Sequence, residues 1–198
     1  MAAAPDDVTP ALSPIMEALY HGRAEEVQRL TAGAPPDSLT VHEAAALGSV
    51  PRLDQLLADN PAAVNSWAPD GFQPLALAAF FGRVQAAELL LERGGEVNTH
   101  ARNSFKVAPL HAALAGPEHD IARMLVAAGA DVNARQQNGV TPLHAAAQNG
   151  EIALVRLLLD AGADPAAADE RGRTSVDFAR EHGFTEIVEL LETQPQAR

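Results

Sequence analysis

An all-α solenoid of six stacked helix-turn-helix units is the fold this sequence predicts, and three observations predict it. A segment of 33 residues repeats, most plainly where Ala108-Pro109-Leu110-His111-Ala112-Ala113 returns as Thr141-Pro142-Leu143-His144-Ala145-Ala146. The second halves of the two copies match as well, with a glycine 18 residues after each histidine, in Ala128-Gly129-Ala130-Asp131 and Ala161-Gly162-Ala163-Asp164. The composition is 47% hydrophobic but only 4% aromatic, which suits helices packed closely through alanine and leucine. A period of this size marks units that bury their apolar faces only against their neighbours, and such stacks offer one long continuous surface.

Six units open near residues 13, 39, 73, 108, 141 and 174. The first, from Ser13, is short, and Ala34-Pro35-Pro36-Asp37 is expected to link it directly to the second, as suits a terminal unit with one neighbour. The second, from Leu39, carries one extra residue in Asn60-Pro61-Ala62-Ala63-Val64-Asn65, and the third, from Gln73, is followed by two more between Asn98 and Ala108. The fifth shows the chemistry of a unit. Thr141 caps a helix whose first residue is Pro142, where the missing N–H needs no partner, and Gly150 closes it. A second helix from about Glu151 to Ala161 places Ile152, Val155, Leu158 and Leu159 on one stripe. Gly162 is expected to end it in the left-handed conformation. Asn138-Gly139 and Arg171-Gly172 read as turns in the connecting loops. The sixth unit, from Thr174 to Leu191, is a weaker copy that suits a C-terminal cap. The domain boundaries expected are a tail at 1–12, one domain at 13–193 and a tail at 194–198.

Charge and residue usage narrow the function. There are 26 acidic against 14 basic residues, a formal net charge of -12, so nucleic acid and anionic membrane surfaces are not expected partners. Cysteine is absent from the sequence, which removes disulfides, thiolate metal sites and cysteine nucleophiles. Met1 to Pro14 lacks a basic then apolar leader pattern, and no long apolar run occurs, so the expectation is a soluble cytoplasmic protein, monomeric on its own. Arginine outnumbers the single lysine, Lys106, thirteen to one, as fits a GC-rich bacterial genome.

The pattern Thr-Pro-Leu-His-x-Ala-Ala, then glycine, then Leu-Leu-Leu-x-x-Gly-Ala-Asp resembles the ankyrin repeat, over roughly Ser13 to Leu191. The third unit, Gln73-Pro74-Leu75-Ala76, lacks the histidine, and the second, Leu39-Thr40-Val41-His42, lacks the proline. The resemblance implies L-shaped units of two antiparallel helices with a projecting finger, stacked so that fingers and first helices line a groove. It also implies that the groove binds another protein without any cofactor.

His42, His111 and His144 are read as occupying one repeat position. Neighbouring helices lie about 8–10 Å apart whereas zinc ligands lie about 2 Å from the metal, so histidines in successive units cannot share an ion. Each is expected to tie a helix start to the adjacent loop, and His144→Ala to lower stability without removing a metal. Catalysis finds no support, because His111, His119, Asp120 and Ser104 form no recognisable nucleophile, phosphate loop or carboxylate pair.

The ends of the first helices map onto Tyr20 and His21, Ala46 and Leu47, Phe80 and Phe81, Ala115 and Gly116, Gln148 and Asn149, and Glu181 and His182. A groove built from them changes from apolar to polar along its length. Fingers add Trp67, Phe72 and Phe105, so six of eight aromatics fall on the binding side of units one to four. The expected protein-binding set is Tyr20, Leu47, Trp67, Phe72, Phe80, Phe81, Phe105, Gln148 and Asn149, flanked by Arg102, Lys106 and Arg135. Alanine at Phe80 and Phe81 together is expected to weaken partner binding with little change in melting temperature. The alternative reading has the aromatics filling space beside small residues. The unusual Gly116-Pro117 turn and Asn103-Ser104-Phe105-Lys106 are either functional breaks or loop drift. The role expected is that of an adaptor or regulatory subunit. An immunity-type inhibitor of a toxin or enzyme, and an enzyme of unrecognised type, remain as alternatives.

Overall fold

The computed structural model describes residues 11–33, 35 and 37–194. Most of the two expected tails, and Ala34 and Pro36 of the expected link, lie outside them. Leu12, assigned to the first tail, packs half-buried against a small apolar cluster around Met16 and Ala46.

Twelve α-helices form six pairs among the described residues: α1 (Pro14–Tyr20) with α2 (Ala24–Gly33), α3 (Val41–Leu47) with α4 (Val50–Asp59), and α5 (Pro74–Phe80) with α6 (Val84–Glu92). They continue as α7 (Pro109–Ala115) with α8 (His119–Ala127), α9 (Pro142–Asn149) with α10 (Ile152–Asp160), and α11 (Ser175–Glu181) with α12 (Thr185–Glu192). The odd-numbered helices stack in one row and the even-numbered in another. Alanines such as Ala45, Ala78, Ala113, Ala146 and Ala179 are fully buried in the first row, and the backbones there approach more closely than in the second row. Unequal spacing curves the stack, with the alanine row on the concave side. The outer row contributes larger side chains to the core, among them Leu53, Leu90, Ile121, Leu125 and Leu158, each at most 1% exposed. Full burial of such a side chain stabilises by about 1.5–3 kcal/mol. Helix α2 is the exception, because it has no buried residue.

Caps explain where the first helices begin. Thr40, Thr141 and Thr174 each form a capping box with the third helical residue, which is Glu43, His144 and Asp177 in turn. The second unit therefore departs from the frame read in the sequence. Thr40, not Leu39, is the cap, so the helix has one residue fewer between its cap and its closing glycine, and His42 does not share the position of His111 and His144. Glu43 takes that position, accepting from the Thr40 N–H at 2.9 Å and from the Ser13 hydroxyl of the first unit at 2.6 Å. The extra residue expected between Asn60 and Asn65 coincides with a single 3-10 turn, Pro61–Asn65.

Between units the chain makes short fingers, each closed at its base by a backbone bond such as Ala101 N–H to Val107 O (2.9 Å) or Gln136 N–H to Val140 O (3.0 Å). Asn138 and Gly139 both have positive φ, 64° and 74°, as the expected turn requires. Adjacent tips are joined by Arg102 N–H to Gly71 O (2.8 Å), Gln137 N–H to Phe105 O (2.8 Å) and Glu170 N–H to Asn138 O (2.9 Å). Asparagines clamp the other end of each link. Asn65, Asn98 and Asn133 each donate to the carbonyl of a left-handed glycine in the next unit (Gly94, Gly129, Gly162) at 3.0–3.1 Å. Each also accepts from an amide two residues further on, at 2.8–2.9 Å.

Candidate functional site

The expected histidine ties have two forms. His144 is fully buried; its Nδ1 accepts from the Thr141 N–H (3.1 Å) and hydroxyl (2.7 Å), and its Nε2–H donates to the Arg173 carbonyl in the next link (3.0 Å). Burial, the largest cause, holds its pKa below the usual histidine range, and the bond to the Arg173 carbonyl works against that. His111 donates equivalently to Val140 O (3.2 Å), but the cap there is Ala108 and its buried Nδ1 has no hydrogen-bond partner. Burial pushes its pKa down to about 4. His42 instead reaches the Ser66 carbonyl at 3.0 Å.

The aromatic residues do not form the single patch read from the sequence. Tyr20, Phe80 and Phe81 meet, with ring centroids 5.1–6.0 Å apart. Within that trio Tyr20 and Phe81, together with Phe72, are half-buried around Met16, Ala46, Ala68 and Leu77, where they join the first unit to the second and third. The Tyr20 hydroxyl donates to Asp70 at 2.7 Å, and burial, then that bond and the Asp70 charge, raise its pKa well above the ordinary value. Trp67 is half-buried beneath the guanidinium of Arg102, which lies 4.1 Å from the ring centroid. Only Phe80 and Phe105 stand out from the surface, at 38% and 58% exposure. Phe72, Phe81 and Tyr20 thus fill space beside small residues, and truncating Phe81 opens a cavity in that cluster, contrary to the expectation that alanine there leaves the melting temperature nearly unchanged.

Phe80 borders a depression of about 400 Å³ on the concave face, whose walls include Phe72, Val107, Ala115, Ala145, Gln148 and Asn149. Five of these come from first helices or finger bases in three successive units, so a regular stack is enough to build it. Gln148 is exposed, while Asn149 uses its amide N–H to cap the Leu114 carbonyl at 2.9 Å. Leu47 lies elsewhere, beside Gly48 and Arg83 at the turns between inner and outer helices. Arg102, Lys106 and Arg135 are all exposed on the fingers, and Arg135 also donates to the Ala168 carbonyl at 2.8 Å. Gly116 is fixed by close approach: a Cβ there would lie 2.7 Å from Ala79 O and 2.8 Å from Phe80 O. In the enlarged finger Asn103 donates to Asp70 O (2.9 Å) and accepts from Phe105 N–H (3.1 Å), and Lys106 has φ 51°.

A family model described as ankyrin repeats (3 copies) matches residues 41–136 and, in a second placement, 110–197. The chain belongs to the ankyrin repeat family. No curated protein matches it. Ankyrin repeats are generally protein–protein interaction modules and typically non-catalytic. Among the described residues no three His, Asp or Glu side chains stand close enough to hold a metal ion, and no helix is long and apolar enough to cross a membrane.

The sequence reading missed two features of this surface. The asparagine clamps were visible as Val64-Asn65, Val97-Asn98 and Val132-Asn133 at nearly the repeat spacing. The depression itself had no sequence signal, because Val107 and Ala145 become neighbours of Phe80 only through stacking.

Proposed function

We propose that this ankyrin repeat chain acts as an adaptor or regulatory subunit that binds another polypeptide across units three to five of its concave face. The observation that carries the reading is Phe80, a large apolar side chain 38% exposed at the rim of a depression lined by apolar residues together with Gln136, Gln148 and Asn149. Exposed aromatics beside a concave apolar surface supply binding energy because water leaves both partners and little side-chain freedom is lost. The wall turns polar at Gln148, which gives a bound segment direction and register.

The test is a photo-crosslinking residue placed at Gln148 on the concave face, or at Glu88 on outer helix α6, in the native cell. The expected result is a crosslinked polypeptide from position 148, lost when Phe80→Asp is added, and none from position 88. Crosslinks from position 88 alone, or crosslinks from 148 indifferent to Phe80→Asp, overturn it.

A further inference from the structure

The charge on the fingers runs against the charge of the chain. The whole sequence carries a formal net charge of -12, yet the finger tips expose four cations, Arg102, Lys106, Arg135 and Arg171. The acids among the tips are Asp70, Asp169 and Glu170. Asp70 takes the Tyr20 hydroxyl (2.7 Å), and Asp169 is closed by the Arg173 guanidinium (2.9 Å) and the amides of Arg171 and Arg173. Only Asp169 is paired with a cation, so Asp70, exposed Glu170 and, close to Arg102, Glu96 keep their charges beside the four cations, and the tips stay net positive.

The tips are contiguous, because backbone bonds join Gly71 to Arg102, Phe105 to Gln137 and Asn138 to Glu170. Two of the cations are also held in place. Arg102 rests on the Trp67 ring, and Arg135 donates to a carbonyl, which orients its guanidinium without neutralising it. Phe105 stands exposed within this row, and Val107 of the same finger lines the depression beside Phe80.

We propose that the finger tips recognise an acidic segment of the partner polypeptide, one that also carries a large apolar residue for the depression beside Phe80. This rests on the reading of the concave face as a polypeptide-binding surface and adds the chemistry of what it takes. An acidic segment is repelled by most of the molecule and attracted at the tips, so the field itself selects its placement. The cations that are already fixed cost less entropy on binding than free lysines would. A nucleic acid shares the sign of charge but has no apolar side chain to fill the depression, and it meets a net repulsive protein.

A random peptide library displayed on phage is selected on the purified chain, and the winning peptides are measured by fluorescence anisotropy. The expected winners are net acidic with at least one large apolar residue. Their affinity falls about tenfold in the quadruple variant R102A/K106A/R135A/R171A, the combined effect of four ordinary exposed ion pairs, and falls again with rising salt. Thermal melting is measured alongside, and R102K/R135K serves as the variant that keeps both charges if the alanine variant melts early. Neutral or basic winners that still need Phe80 overturn the charge assignment and leave the groove reading standing. Winners indifferent to both Phe80→Asp and the quadruple variant overturn the groove reading as well. Displacement of the peptides by a single-stranded oligonucleotide at low concentration, or self-association of the chain abolished by the quadruple variant, assigns the tips to another occupant and also overturns the proposal.

Discussion

Replacing Ala108 by threonine should stabilise the protein, and the structure supplies both the reason and the size. Ala108 and Thr141 occupy the same cap position with nearly the same backbone, φ/ψ -84°/161° and -97°/166°. At Thr141 the hydroxyl lies 2.7 Å from His144 Nδ1, whereas the Nδ1 of His111 is buried without a partner. Leaving a buried polar atom unsatisfied costs about 1–3 kcal/mol, and an alanine at a helix cap costs about 1 kcal/mol relative to threonine. The two describe the same missing hydroxyl, so they do not add. The expected gain is about 1 kcal/mol, or about 2–4 °C in melting temperature for a chain of this size. Urea unfolding followed by circular dichroism measures it as a higher midpoint at an unchanged slope. Thr141→Ala, run in parallel, should lose a similar amount. If Thr141→Ala destabilises while Ala108→Thr is neutral or destabilising, the reasoning about the unpaired imidazole nitrogen is wrong.

Four further outcomes are expected. His111 binds a proton in the unfolded chain below its ordinary pKa of 6.5 but in the fold only below about 4, so the unfolded state takes up more protons between those values. Stability is then complete above pH 6.5 and falls as the pH drops towards 4, by about 3 kcal/mol from this residue; His111→Gln should flatten that slope in pH-dependent denaturation. Asn133→Ala removes bonds to Gly162 O and Asp164 N–H and should cost about 1–2 kcal/mol, with faster hydrogen exchange at the Asp164 amide. Gly116→Ala forces a methyl against two backbone carbonyls and should cost about 1–3 kcal/mol, while Gly33→Ala, with open space around it, should be neutral or stabilising in the same unfolding assay. Phe80→Ala, which removes ring contacts with Tyr20 and Phe81 from a 38% exposed position, should cost about 1 kcal/mol, and Phe81→Ala, which opens the cluster under the first unit, about 2 kcal/mol.

The repeat, the caps and the glycine stops were legible because each is a local rule. Thr141 before Pro142 and Gly162 after a leucine stripe need only neighbouring residues to act. The frame of the second unit was misread for a physical reason. A histidine and a glutamate can both satisfy the cap, so His42 drew the alignment one residue away from Glu43, which does the work. The aromatic surface was half legible. Composition shows that aromatics cluster towards units one to four, but whether a ring faces water depends on what the neighbouring unit presents. Phe80 and Phe81 are adjacent in sequence and both touch Tyr20, yet the step of about 100° between them turns Phe81 into the cluster and leaves Phe80 38% exposed. Gly116 looked irregular because its constraint comes from the carbonyls of the preceding unit, 36 and 37 residues away.

The first helical pair is fastened differently from the rest, since α2 buries nothing and the pair holds on through Met16, Tyr20 and the Ser13–Glu43 bond. Loose edges of repeat arrays come away at lower free energy than their middles. When this pair lifts off, Phe81 and Phe72 lose their cover together and the aromatic rim around Phe80 widens. A weakly fastened edge thus borders the proposed binding surface, and a ligand large enough to overlap Tyr20 would be felt as a stiffening of the N-terminal edge.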